Sequence, residues 1–523
     1  MEQEWWRTAV VYQVWPRSFA DSDGDGVGDL RGVISKLDHL SDLGIDALWL
    51  SPFYPSPQVD AGYDISDYQG VDPLFGTLQD VDDLIAGLHA RGIRLVLDMV
   101  LNHTSDRHPW FVESRSDTDN PKRDWYFWFE EPPNSWPSLF GGDAWELDEQ
   151  TGEYYLHTFA KEQADLDWRN PQVRKALAEM LRWWLDRGVD GFRLDVISMI
   201  SKDIENPWGF LGFGPQLHEF LQELHREAFA GRGLMTVGET PMATVEQARL
   251  MSAPDRRELD MVFGFEHVSL DHDLTKWDPV PLSLPTLKQS FARWQQGLGD
   301  GWNSLYWDNH DQPRAVSRFG DDGEHRVASA KTLATVLHLH RGTPFVYQGE
   351  ELGMKNAGFT SIEDYRDLES LNWYRESALP EAEKLALLRR ASRDNARTPM
   401  PWDDSRGTSW IGYADDTVTV AAQRSDPDSV LAHYRKLIAL RHEIPAVAHG
   451  DFALLLPDDE RIWAFTRTYD DVELLVVANF SSHEVDPGLP DDGELLIGGA
   501  GPLGAWESRV TRRAARSRDP ARA

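Results

Sequence analysis

The chain runs to 523 residues, about three and a half times the ~150 residues of a typical domain, so it has room for a large core and satellite domains. Apolar residues make up 41% and charged residues 27%, which excludes a disordered or collagen-like chain. Against 52 Lys and Arg stand 87 Asp and Glu, and the net charge of −35 argues against nucleic-acid and membrane partners.

Taken in chain order, the first residues, Met1–Trp6, show neither a basic segment nor an apolar one, so no secretory signal is visible. No stretch approaches the ~18 uninterrupted apolar residues of a membrane span, and a soluble, cytoplasmic protein is expected. Apolar, β-branched runs then recur at Val10–Phe19, Ile45–Pro52, Ile93–His103, Gly191–Ser198, Leu234–Glu239, Leu259–Phe265, Ser304–Asp311 and Pro344–Glu350. Between them lie segments with helical periodicity, among them Leu30–Leu43, Leu78–Arg91, Pro171–Arg187 and Gln216–Phe229. Pro171 after Asn170 reads as a helix start, and Arg91-Gly92 and Arg187-Gly188 read as helix ends. Eight strand–helix units with strands apolar enough for burial on both faces point to an α/β fold, a parallel (β/α)8 TIM barrel over residues 1–103 and 169–445. An open doubly wound sheet is the alternative.

Two stretches break the rhythm. Residues 104–168, rich in Trp, Pro and Asp (Trp125-Tyr126-Phe127-Trp128-Phe129), read as a subdomain inserted after the third strand. Residues 446–510 alternate in short strands, Phe452–Leu456, Ile462–Thr468 and Val472–Ala478, as in an antiparallel C-terminal β domain. The Arg-rich segment 511–523 reads as a disordered basic tail. The 22 Trp could stack on sugar faces, although composition alone favours a core role.

In a parallel barrel the chemistry gathers at the C-terminal strand ends. There the chain places Asp98, Asn102 and His103, then Arg193 and Asp195, then Glu239, then Asn309, His310 and Asp311. Single strand-end aspartates are commonly caps, but this many ionisable groups on four matching ends indicate a site. With no cysteine there is no thiol nucleophile, disulfide or thiolate metal site, and no phosphate loop or dinucleotide fingerprint is present. Mouth carboxylates alone suit acid/base chemistry on a neutral polyhydroxylated substrate. Glycoside cleavage needs two carboxyl groups in unlike environments. Arg193 and Asp195 share a strand face, so the cation is expected to depress the Asp195 pKa and hold a carboxylate nucleophile. Glu239, among uncharged sequence neighbours, is the candidate acid/base, and Asp311 a group that binds ring hydroxyls and favours the oxocarbenium-like state.

These segments, Asp98–His103, Gly191–Asp195, Val237–Glu239 and Asn309–Asp311, resemble the four signature stretches of the α-amylase family, glycoside hydrolase family 13. Gly62–Tyr68, Gln163–Trp168, Trp302–Arg314 and Asn395–Met400 are similar to its oligo-1,6-glucosidase and α-glucosidase group. The resemblance implies a retaining double displacement with Asp195 as nucleophile, Glu239 as acid/base and Asp311 as transition-state stabiliser. It implies that Tyr63, His103, Phe159, Arg193 and His310 line the −1 sugar site. It further implies that Asp64 and Arg397 pair to grip the terminal 4-hydroxyl, closing the pocket so that single glucose units are released. In that group Val after the nucleophile goes with α-1,6 activity, so Val196 leans towards isomaltose-type substrates. Met242, Ala164, Asp167 and Pro401 depart from the group's usual residues.

Asp21-Ser-Asp23-Gly-Asp25-Gly-Val27-Gly-Asp29 carries carboxylates at loop positions 1, 3, 5 and 9 and a free carbonyl at 7, a pattern suited to Ca2+. Gly32 at position 12 excludes a helix–loop–helix hand, and an acidic turn is the alternative. The resembled group has a structural Ca2+ here, held by Asp21, Asp23, Asp25, Asp29 and the Val27 carbonyl, and no organic cofactor is expected. The expected partners are small oligosaccharides, met by a monomer or weak homo-oligomer. Alternatives on the same scaffold are an α-1,4-preferring or broad α-glucosidase with transglycosylation, a sucrose hydrolase or isomerase, and a non-catalytic transporter partner. The isomerase's Arg-Leu-Asp-Arg loop is absent after Asp311, and the catalytic carboxylates a transporter partner lacks are kept.

Overall fold

The computed structural model describes residues 4–414 and 418–515. Strands β1 (Val11–Val14), β2 (Ala47–Leu50) and β3 (Arg94–Val100) lead into five short strands. These are β4 (His103–Ser105), β5 (Trp128–Phe129), β6 (Trp145–Asp148), β7 (Glu153–Leu156) and β8 (Gln163–Asp165). Then follow β9 (Gly191–Asp195), β10 (Met235–Thr240), β11 (Met261–Gly264), β12 (Ser304–Leu305) and β13 (Thr343–Tyr347).

Eight of these form one parallel sheet in the order β11–β10–β9–β3–β2–β1–β13–β12. A parallel bridge from Val262 to Asn303, just before β12, brings the two ends together into a barrel. Its strands are buried along nearly their whole length, which explains their unbroken apolar runs. The expected barrel is therefore observed, and the open sheet is set aside. Helix Pro171–Arg187 begins and ends as its sequence indicates: Asn170 accepts from the Gln172 N–H at 2.8 Å, and Gly188 closes it at φ +112°. Two other segments are interrupted: Leu30–Leu43 divides at Lys36, and Gln216–Phe229 passes from α-helix (Leu217–Leu224) into a π turn.

Between β3 and the helix at Pro171, β5–β7–β6 make a small antiparallel sheet, and β4 pairs with β8 beside the barrel mouth. A second excursion, not anticipated from the sequence, follows β13. Helices Leu368–Glu376 and Glu381–Ala391 pack with Trp277, Phe359, Tyr365 and Ile411 into their own apolar cluster. Further on, β14 (Asp451–Leu455), β15 (Ile462–Tyr469), β16 (Val472–Asn479), β17 (Glu494–Ile497) and β18 (Ser508–Ala514) form an antiparallel sheet in the order β14–β15–β16–β18–β17. Lys288 fastens a barrel helix to this sheet, its Nζ donating to the carbonyls of Leu456, Asp459 and Ile462 at 2.6, 2.6 and 2.9 Å.

The disordered-tail expectation is corrected for Thr511–Ala514. They belong to β18, an inner strand between β16 and β17, where Arg513 pairs with Glu473 at 2.7 Å and Arg512 with Glu494. The arginines that look like a solvated run are cross-strand partners of acidic residues. Residues 516–523 of that expectation lie outside the described residues.

Candidate active site

Strand register assembles the site. Asp98 on β3 lies opposite Arg193 on β9, Val100 opposite Asp195, and Gly238 on β10 opposite Leu194, so Asp98, Arg193, Asp195 and Glu239 meet at one end of three adjacent strands. The Arg193 guanidinium is fully buried and serves three acids: Nη1 reaches Asp98 at 2.9 Å and Asp195 at 2.7 Å, and Nη2 reaches Glu239 at 2.7 Å. The other Glu239 oxygen accepts the Val196 N–H at 3.0 Å. Val196 holds this N–H in place from a left-handed backbone, φ +35° and ψ +39°, a conformation uncommon for a β-branched residue. Asp98 is held in turn by Trp49 Nε1 at 3.1 Å and the Tyr63 hydroxyl at 2.9 Å.

Two expectations are corrected here. Glu239 is not among uncharged groups, because the neighbouring strand delivers Arg193 to it. Nor is the Asp195 pKa depressed: burial raises it, Arg193 pulls against that, and the Glu239 and Asp98 carboxylates add to the rise. One cation does not balance three buried acids.

Asp311 is the opposite case. Burial alone would raise it, but His310, Arg393 and Arg397 outweigh burial and hold it well below the usual carboxylate range. Arg397 Nη2 lies 2.9 Å and Arg393 Nη1 3.2 Å from the same Asp311 oxygen, and His310 Nε2 is 3.1 Å from the other. The His310 ring stacks with Trp15 and with Tyr63, at 5.1 and 5.3 Å, and its two nitrogens meet Gln13 and the Tyr63 hydroxyl.

The mouth encloses a cavity of about 600 Å³. Of the residues singled out in the sequence, Tyr63, His103, Phe159, Asp195, Val196, Glu239 and Asp311 line it, whereas Arg193, His310, Asp64 and Arg397 stand behind its wall. The expected Asp64–Arg397 pair does not form. Asp64 accepts the backbone N–H groups of Val59 and Asp60 at 2.9 and 3.1 Å, and Arg397 turns to Asp311 and to the His310 carbonyl. Close to this place, Asp60 and Arg393 form an acid–base pair in the cavity wall, 3.0 Å apart. Burial lifts the Asp60 carboxyl to about 6, against the pull of Arg393 and Arg397. Also missed are the residues the second excursion contributes to the lining, Glu369, Trp373, Glu376, Arg390 and Ala391.

Away from the mouth, carboxylate oxygens of Asp21, Asp23 and Asp29 lie within 4.8 Å of one another. Asp25 is not part of this group; its carboxylate accepts the Val27 N–H at 2.8 Å. Asp29 also caps the following helix through Gly32 N–H at 2.7 Å.

The model of the α-amylase catalytic domain matches residues 13–450. The chain belongs to the α-amylase family. Oligo-1,6-glucosidase of Parageobacillus thermoglucosidasius is 52% identical over 522 residues, 94% of this chain and 93% of that protein. Trehalose-6-phosphate hydrolase of Bacillus subtilis is 46% identical, over 93% of this chain and 91% of its own. Among solved structures, isomaltulose synthase from Erwinia rhapontici NX5 matches with a TM-score of 0.94 at 40% identity, covering 97% of this chain and 99% of that one. As an α-amylase-family glycoside hydrolase, the chain has its three candidate carboxylates, Asp195, Glu239 and Asp311, on the walls of a single barrel mouth. No helix among the described residues is long and apolar enough to cross a membrane.

Proposed function

We propose that the chain is an exo-acting, retaining α-glucosidase that removes terminal glucose from short oligosaccharides, with a preference for α-1,6 linkages. The observation that carries this is the sharing of one guanidinium by Asp195 and Glu239 in the wall of a cavity flanked by Asp60 and Arg393. Carboxylates bridged by a single fork fit the short spacing, about 5–5.5 Å, that suits covalent displacement better than the ~6.5–9.5 Å of inverting enzymes.

In the first step an Asp195 oxygen attacks the anomeric carbon while Glu239 gives its proton to the departing glycosidic oxygen. In the second, Glu239 takes a proton from water, whose oxygen displaces Asp195 and releases α-glucose. Asp311, kept anionic by its two arginines, supports the positive charge that develops on the ring. Asp60 and Arg393 would grip the terminal hydroxyls and block a longer chain, the role the sequence suggested for Asp64 and Arg397. The Val196 side chain would shape the +1 site. The proposal includes a structural Ca2+ that Asp21, Asp23 and Asp29 would hold, a cytoplasmic location, and a monomer or weak homo-oligomer.

Hydrolysis of isomaltose, panose, maltose and sucrose side by side, with anomer detection, tests the reading. We expect α-glucose first, faster release from isomaltose than from maltose, and loss of turnover in a folded Asp195→Asn variant. β-Glucose as first product or an active Asp195→Asn protein defeats the mechanism. Equal rates on maltose and isomaltose defeat only the linkage preference, and a rearranged disaccharide from sucrose would identify an isomerase.

A further inference from the structure

A second cleft, of about 820 Å³, lies beside the catalytic cavity and is absorbed by no step above. Its lining brings together four cations, Arg318, Lys355, Arg389 and Arg390, with two acids, Asp271 and Asp322. In a protein of net charge −35 such a cationic hollow is out of keeping with the rest of the molecule. Both acids already have partners. Asp271 takes two bonds from Arg318, at 2.9 and 2.7 Å, and one from Arg390 at 3.1 Å, while Asp322 accepts the Ser317 hydroxyl at 2.6 Å. Arg389 is exposed and makes no ion pair among the described residues. Its neighbour Arg390 spends only Nη2 on Asp271. The cleft lining carries no aromatic ring on which a bare sugar could stack, and it includes the short apolar run Pro279–Leu282. Guanidinium forks beside an ammonium are the chemistry of phosphate recognition, and the volume suits a small molecule larger than the free ion.

Asp271, Arg318 and Arg390 line the catalytic cavity as well, so these ion-paired side chains form a wall common to both spaces. The segment from Phe265 to Leu282 behaves likewise: Lys276 and Trp277 face the catalytic side, and Pro279–Leu282 the cleft. We propose that the cleft is an effector site for a phosphate monoester of sugar size, coupled to the catalytic cavity through the Asp271–Arg318–Arg390 wall. An anion that draws Arg390 towards the cleft loosens its bond to Asp271 and shifts the segment that forms the outer part of the substrate cavity.

The test uses the full chain, with glucose 6-phosphate and inorganic phosphate as probes at matched ionic strength, followed by calorimetry. We expect one glucose 6-phosphate site, bound more tightly than inorganic phosphate and undisturbed by saturating glucose. Binding should weaken at least tenfold in Arg389→Glu and persist in Arg389→Lys, both with unchanged activity when no phosphate is present. Absence of binding, displacement by glucose, or equal binding to Arg389→Glu overturns the site. Equal affinity for inorganic phosphate overturns the monoester. The coupling rests on the hydrolase reading, and its arm is separate: glucose 6-phosphate should change the KM for isomaltose at least twofold with kcat nearly constant, and an unchanged KM in an active enzyme refutes the coupling. Inactivity on every disaccharide would instead refute the hydrolase reading and leave the calorimetric result standing.

Discussion

Arg193 carries more of this site than any other side chain, because three buried carboxylates depend on its one charge. Asp98 competes with Asp195 for Nη1 and, as a nearby anion, raises the Asp195 pKa. Replacing Asp98 with Asn removes that anion and leaves Nη1 to Asp195, so both effects favour ionised Asp195. Since the nucleophile works as the anion, the acid limb of kcat/KM should move to lower pH by about one unit in Asp98→Asn. The plateau should fall as well, because Tyr63 and Trp49 lose a charged acceptor. A pH profile from about 4 to 8 measures this, and a limb that stays put or rises refutes the account of Asp195. The same scale shows where the sequence misleads. Asp60 and Asp64 are four residues apart, as are Arg393 and Arg397, so composition and spacing do not tell which pair faces the cavity. The decision rests on two backbone N–H groups that take up Asp64 and leave Asp60 for Arg393. The neighbour that charges the surroundings of Glu239 is equally invisible along the chain, arriving from β9 by register.

Elements that signal themselves by an apolar run or by caps are legible from sequence; those built on pairing with a distant strand are not. All eight barrel strands fall within runs visible in the sequence or within a residue of them, and helix Pro171–Arg187 matches at both ends because Asn170, Pro171 and Gly188 each have a local reason to be there. Strand β18 has none. Its arginines make sense only beside Glu473 and Glu494, and the second excursion after β13 hides in residues of mixed polarity. The acidic loop is intermediate. Its ligand spacing is readable, but the convergence of Asp21, Asp23 and Asp29, with Asp25 turned back on Val27, needs the fold. Three carboxylates within 4.8 Å repel each other unless a cation joins them, and Asp29 also starts the helix at Leu30. Ca2+ should therefore raise the thermal midpoint, and a chelator should lower it by a few degrees, with little change in kcat at 25 °C. Asp23→Asn should abolish the Ca2+ response, whereas Asp25→Asn should weaken it less. A midpoint indifferent to Ca2+ and chelator in the native protein argues against the ion.

At the scale of the whole molecule, burial of ionisable groups fixes how stability depends on pH. Six histidines are held neutral by desolvation: His103 and His433 with a pKa near 4, and His108, His267, His338 and His340 near 3. The unfolded chain binds those protons near the ordinary value of about 6.5, so the stabilisation is complete above that pH and is lost as pH falls towards the folded values. Between pH 7 and 5 each contributes a loss on the order of 1–2 kcal/mol. Buried acids act in the opposite sense, and burial raises Asp60, Asp64, Asp195, Asp260, Asp308, Glu350 and Asp394 alike. Asp260, raised by burial to about 7, and Asp60, raised by burial to about 6, bind protons more tightly when folded, so their contribution grows as pH falls through those values. The net charge of −35 acts with them, since partial protonation relieves self-repulsion. Six imidazoles, moved down by about 2.5 to 3.5 from the ordinary value, stand against these acids over this interval, and the imidazoles are expected to dominate. The unfolding temperature should therefore be highest near pH 7–8 and fall by several degrees towards pH 5, more steeply in high salt, where screening removes the compensating relief of repulsion. Scanning calorimetry across pH 5–8 in low and high salt measures both trends. A midpoint that climbs steadily from pH 8 to 5 would mean that carboxylates, not neutral buried imidazoles, dominate proton linkage in this fold.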